Sequence, residues 1–291
     1  MIESQLSAGR LKRIRHGIFV ASDSWPSDPA GQHLMLARAE QTVTPQAVLS
    51  HNSAALVWGL PTPGFHEWYD EPPTLTFPSG GTSRARRSLI TRRTAALPPS
   101  DTTRDALGYA VTTLARTAID LAEPHPLPEA LVILDAAGRL LIQSTLSRPK
   151  RGDYANPRLV QGVHEALMEV GRPRSVARLR SAIEKVEPCR ESPAESFTAG
   201  HLHLAGLPIP VFQAAIPSPM GTLWPDCYWP EFGLIGECDG AVKYTDQASI
   251  LAEKRREQWF RDNGYRVVRW LATEIFLQPS IVMSRIDRAL G

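Results

Sequence analysis

The chain has 291 residues, of which 43% are hydrophobic and 21% charged, with a formal charge of +2; these values exclude a fibrous or intrinsically disordered chain and leave room for two ordinary domains. Three cysteines, Cys189, Cys227 and Cys238, form no CxxC pair and leave one over, which argues against a disulfide framework or a cysteine-rich zinc site and for a reducing cytoplasm. The N-terminus passes from polar residues into Arg10, Lys12, Arg13 and Arg15, and no apolar run reaches membrane-spanning length, so neither secretion nor membrane insertion is expected.

In chain order, a basic segment closes at Gly17 and leads into the β-prone Ile18-Phe19-Val20. Ser50 to Leu60 reads as a helix capped by Ser50 or Asn52 and stopped by Gly59 and Pro61. Between Arg84 and Arg93 stand five arginines (84, 86, 87, 92 and 93) and no acid; such a run suits a polyanion or forms a solvated surface. The spacing of Ala, Leu and Ile predicts helices over Tyr109 to Ala122 and Glu129 to Ile142.

Residues 143 to 160 are polar and basic and carry Pro149, Gly152 and Pro157, the marks of an exposed connection. Short helices are expected over Val163 to Val170 and Ser175 to Val186. The expected division is therefore a region over 1–142, a basic helical linker over 143–190 and a last domain over 191–291.

The last hundred residues carry most of the information. Ser192-Pro193-Ala194-Glu195 has a capping serine, a proline at the first helical position and a glutamate at the third, and the helix runs to Gly206. Three β-prone runs follow, Ile209 to Ile216, Thr222 to Trp229 and Leu234 to Cys238. A charged helix from about Gln247 to Asn263 and a strand over Tyr265 to Trp270 complete the order αβββαβ.

Within this order, Asp226 has aromatic neighbours Trp224 and Tyr228 in a β-prone run, and Glu237 ends the most apolar run of the domain. Packing explains neither carboxylate well, because an unpaired buried acid is costly. Asp239-Gly240 reads as a turn that also offers a ligand. Glu195 fits a capping box and an auxiliary acid equally. Glu253-Lys254-Arg255-Arg256 reads by default as a solvated helix face, and more sharply as placing Arg256 toward the acids. The histidines, His201 and His203 included, have no metal-site spacing.

Pro225-Asp226, ten residues, then Glu237-Cys238-Asp239 resembles the PD-(D/E)XK nuclease signature. The run Leu234 to Gly240, the charged Glu253 to Arg256 and the closing Gly264 to Trp270 resemble Vsr-like endonuclease domains of actinobacteria. Upstream, Arg10 to Val20, Leu49 to Ala55 with Gly59-Leu60-Pro61, and Val111 to Asp120 resemble AbiEi-family antitoxin proteins, with the first helices of their winged-helix segment missing.

These resemblances imply an α/β fold, an AbiEi-like α/β region followed by a restriction-endonuclease-like αβββαβ domain. They imply Mg²⁺- or Mn²⁺-dependent hydrolysis of DNA, with Asp226, Glu237 and Asp239 as metal ligands and Glu195 as an auxiliary acid. The signature's lysine is replaced by Asp239, so Lys243, or else Lys254 or Arg256, is expected to supply the positive charge. Arg84, Arg86, Arg87 and Arg256 are expected to meet the DNA backbone, which gives affinity with little sequence information. The alternatives are a non-catalytic DNA-binding regulator of antitoxin type that retains a nuclease fold, and a module that meets a toxin or defence-operon partner.

Overall fold

The computed structural model describes residues 2–77, 91–94, 96–170, 177–240 and 247–291, with backbone alone at 91–94 and 247–250. Lys243, Arg84, Arg86 and Arg87 lie outside the described residues, as do the side chains of Arg92 and Arg93. The chain mixes helix and sheet throughout, an α/β protein in the coarse sense.

Helix α1 (Ile2–Ser7) leads into an antiparallel hairpin of β1 (Leu11–Arg15) and β2 (Ile18–Ala21), which turns at Gly17 with φ of 78°. Helix α2 (Pro29–Val43) starts where the Asp28 carboxylate accepts from Gly31 N at 2.6 Å and Pro29 supplies a preset φ. Then come β3 (Val48–Leu49), α3 (His51–Trp58), β4 (Thr74–Phe77), β5 (Thr91–Thr94), β6 (Thr102–Arg104) and β7 (Ala110–Thr112). The five strands form one mixed sheet in the order β5-β4-β3-β7-β6.

The helix expected over Tyr109 to Ala122 is instead strand β7 followed by α4 (Leu114–Ala122). Thr113 makes the break, its hydroxyl accepting from Arg116 N at 3.3 Å, while Val111 pairs with Leu49 in β3. Helix α5 (Leu127–Thr145) is longer than expected, and α6 (Pro157–Glu169) and α7 (Ala177–Ile183) follow.

Helix α8 (Pro193–Ala205) ends at Gly206 with φ of 66°. The run Ile209 to Ile216 is not one strand. It divides into β8 (Val211–Phe212) and β9 (Ile216–Ser218), because Gln213 takes a left-handed φ of 52° that ends the extended backbone. The run Thr222 to Trp229 likewise divides, into β10 (Gly221–Leu223) and β11 (Cys227–Trp229), at Pro225, which has no N–H to give to a ladder. Strands β9 and β10 pair as a separate hairpin. Asp226 thus precedes a strand and is not inside one.

After β12 (Leu234–Asp239), α9 (Gln247–Asp262) crosses over to β13 (Arg266–Leu271), which lies parallel to β12 with Glu237 opposite Arg269. The sheet order is β13-β12-β11-β8, and α10 (Ala272–Leu277) and α11 (Pro279–Leu290) close the chain. Gly236 sits where a Cβ would lie 2.9 Å from the rings of both Trp229 and Trp270.

One hydrophobic core runs from Ala55 through α4, α5 and α8 to Leu290. Its tightest point is between α5 and α8, where a Cβ on Gly200 would come within 2.3 Å of Pro128 Cα. The stretch 143–160, expected as an exposed connection, is exposed over most of its length and buries Tyr154 in this core, and the helices after it add buried Val163, Leu167, Leu179 and Ile183. Among the described residues no helix is long and apolar enough to cross a membrane.

Candidate active site

Three carboxylates meet at one end of the four-stranded sheet, each delivered by a different element. Glu195 occupies the first turn of α8, where the Ser192 hydroxyl accepts from Glu195 N at 3.2 Å. That is one half of the expected capping box. The other half is not formed, because Glu195 Oε2 accepts from Glu191 N at 3.0 Å and from Gln213 Nε2 at 2.9 Å.

Asp226 is fixed from three directions. Its Oδ2 accepts from Cys238 N at 2.8 Å, its Oδ1 accepts from Gln213 Nε2 at 3.3 Å, and its carbonyl accepts from Gln213 N at 3.2 Å. Glu237, buried in β12, places Oε1 2.6 Å from Arg256 Nη2, which also donates to Trp224 O at 3.3 Å. Arg256 therefore faces the acids from α9, as the sharper sequence reading expected.

Asp239 does not join this group. Arg269 holds both its oxygens, with Nε to Oδ2 at 2.9 Å and Nη2 to Oδ1 at 2.7 Å, and the same guanidinium reaches Glu253 at 3.0 Å and Glu257 at 3.0 Å. The two-residue spacing does put Glu237 and Asp239 on one face of β12. The pairing comes from Arg269 in β13, one strand away.

Gln213 is the residue that sequence reasoning missed. It is 5% exposed, it bridges two acids, and its carbonyl Oε1 accepts from Arg151 Nη2 at 2.8 Å. A left-handed non-glycine backbone costs roughly 1–2 kcal/mol, so the surroundings hold it there against its preference. Arg151 lies in the polar, basic stretch 143–160, where no motif singles it out. No spacing rule links either residue to Asp226.

Removal from water governs the electrostatics. Burial pushes the Glu237 carboxyl up to about 8, with Arg256 opposing and Asp226 adding to the rise. Burial and then the charge of Asp226 raise Glu195 to about 7. Asp226 is also raised, chiefly by burial, against the Cys238 N–H, Arg256 and Gln213. Arg256 touches this group through Glu237, and all three carboxyls hold their protons to higher pH than ordinary carboxylates do.

Among the described residues no three His, Cys, Asp or Glu side chains come together as a ready metal cage. The donor chemistry still suits a hard cation, since every donor is oxygen and Mg²⁺ takes one or two carboxylates and fills the remainder with water. Asp226 and Glu237 are the pair with that chemistry. Asp239 is taken by Arg269, and Lys243 lies outside the described residues.

No family model matches the chain. Two relatives, both uncharacterized proteins of Mycobacterium tuberculosis, from strains CDC 1551 / Oshkosh and ATCC 25618 / H37Rv, are each 27% identical over 184 residues. The match covers 63% of this chain and 62% of each relative, so the chain spans about three fifths of their length. Neither name states an activity.

Proposed function

We propose that the C-terminal unit is a restriction-endonuclease-like domain of Vsr type that hydrolyses DNA phosphodiesters with Mg²⁺ or Mn²⁺, and that the AbiEi-like region helps to hold the DNA. The observation that carries this reading is the excess of carboxylate over guanidinium where buried Glu195 and Glu237 meet half-buried Asp226, an imbalance of the kind that clusters at functional sites.

Asp226 and Glu237 would hold the cation. When bound, it would supply a Lewis acid for the phosphoryl oxygens and hydroxide near neutral pH. Glu195 holds or accepts a proton next to Asp226, and the Gln213 amide that donates to both holds the two acids in place. Arg256 takes the part of the missing lysine: its guanidinium, 2.6 Å from Glu237, would stabilise charge developing on the phosphoryl group. Arg84, Arg86 and Arg87 provide backbone affinity from the N-terminal region.

The test is nicking of supercoiled plasmid by the purified protein. Cleavage with Mg²⁺ or Mn²⁺ that stops in EDTA is expected, and Asp226→Ala should abolish it while DNA binding persists. A protein that binds DNA and never cuts across several DNA forms would sink the hydrolase. A specific observation favours the second reading, a non-catalytic regulator: the position of the signature lysine holds Asp239, tied to Arg269.

A further inference from the structure

Arg151 opens a short 3-10 turn, Arg151–Ala155, in the stretch ahead of α8. Its Nη2 donates to Glu191 Oε2 at 2.6 Å and to Gln213 Oε1 at 2.8 Å, and its guanidinium lies 5.3 Å from the centre of the Trp224 ring. Gln213 in turn donates to Glu195 and Asp226. One amide group therefore separates this guanidinium from the two acids. Trp224 leads through Pro225 directly into Asp226, so the ring beneath Arg151 and the carboxylate belong to one tripeptide whose central φ is fixed by the proline ring.

The surroundings of Arg151 differ from those of Arg256. Arg256 is fixed on buried Glu237, whereas the Arg151 side chain is 39% exposed and its acid partner Glu191 is 32% exposed. A guanidinium at the edge of an acidic centre, balanced by a solvent-reachable carboxylate, has the fork geometry that phosphate matches. The Glu191 carboxylate accepts from Nη2, a donor that a phosphate oxygen would take in its place.

We infer that Arg151 is a phosphate-binding residue for the DNA strand entering the acidic centre, with Glu191 as the anion that the strand displaces. The inference deepens the nuclease reading and rests on it for the identity of the polyanion. It makes the stretch ahead of α8 part of the binding surface, and Gln213 a positioning residue that ties that surface to Asp226.

The experiment measures binding of a fluorescently labelled duplex oligonucleotide to the full chain in EDTA, where no cutting occurs, over a range of salt. Arg151→Ala should lower the slope of log affinity against log salt by about 0.9, the loss of one phosphate contact, and Arg151→Lys, which keeps the charge, should restore most of it. Glu191→Gln should raise affinity about two- to fivefold at fixed salt, the scale of one exposed ion pair. Thermal melts identify a variant that has merely unfolded, and Arg151→Lys and Glu191→Gln carry the test if Arg151→Ala has.

An unchanged slope in folded Arg151→Ala, an unchanged affinity in Glu191→Gln, or a parent protein that fails to bind the duplex overturns the inference. Cleavage by the parent together with an unchanged slope would sink the inference and leave the hydrolase standing. A reduced slope in a protein that never cuts would do the reverse.

Discussion

Two of the arginine–acid clusters among the described residues are built to opposite ends. In the N-terminal region Arg116 donates from Nη1 to Asp101 at 2.7 Å and from Nε to Asp120 at 2.9 Å, with all three side chains under one tenth exposed. The guanidinium fork meets one carboxylate on each of two donors, and the cluster ties α4 to the short turn before β6. In the C-terminal region Arg256 reaches Glu237, while Asp226 and Glu195 are held by amides and backbone N–H groups. Neutral donors place these acids without cancelling their charge. The first arrangement is that of a strut; the second leaves a charge deficit that a cation from solution can fill.

The largest expected effect breaks the first cluster. Arg116→Ala leaves Asp101 and Asp120 buried without their guanidinium, and the protein should lose about 3–5 kcal/mol of stability, read as a lower denaturation midpoint in urea. A loss below about 1 kcal/mol would show that Arg116 is no strut.

The second prediction sharpens the contrast through pH. A carboxyl raised in the folded state keeps its proton where the unfolded chain has lost it. Its contribution is therefore present below the ordinary glutamate value of 4.5 and is lost as pH rises toward about 8 for Glu237. The metal-free protein should lose stability across that window, and Mg²⁺ should restore it in a concentration-dependent way by binding the folded form alone. Asp226→Asn removes one charge at nearly constant shape. It should be as stable as the parent or more so at neutral pH, and should respond less to Mg²⁺. Melts at matched ionic strength decide it: a destabilised variant indifferent to Mg²⁺ would make Asp226 a second Asp120.

The smallest effect concerns Asp239. Its ion pair with Arg269 is more than one quarter exposed on both sides, so Asp239→Asn should cost less than about 1 kcal/mol and leave any DNA cleavage standing. Loss of cleavage with an unchanged melt would return Asp239 to the proposed ligand set.

The acids were legible in the sequence because a carboxylate in an apolar run violates a local rule, as Asp226 and Glu237 do. Arg256 was legible as an alternative, since helical spacing left two faces open to it. Gln213 was not, because its role depends on a positive φ and on a contact with α8 that no local pattern encodes. The loss of Asp239 to Arg269 follows from parallel register with a strand thirty residues later, which only the fold supplies. The split of the run Ile209 to Ile216 rests on the left-handed backbone of Gln213, which no residue type announces, whereas the break of Thr222 to Trp229 at Pro225 is visible in the sequence itself.

The contact of Gly200 with Pro128 has a further meaning for how the chain comes apart. The face of α8 opposite the acids is spent on α5, at a separation that admits no side chain at position 200. Pulling the last hundred residues away would open the close contact between Gly200 and Pro128 and release the helix whose first turn presents Glu195. A seam this close should couple the two halves, so that they melt in a single step. A protease cut in the polar stretch between them should leave the fragments associated and the acidic centre assembled.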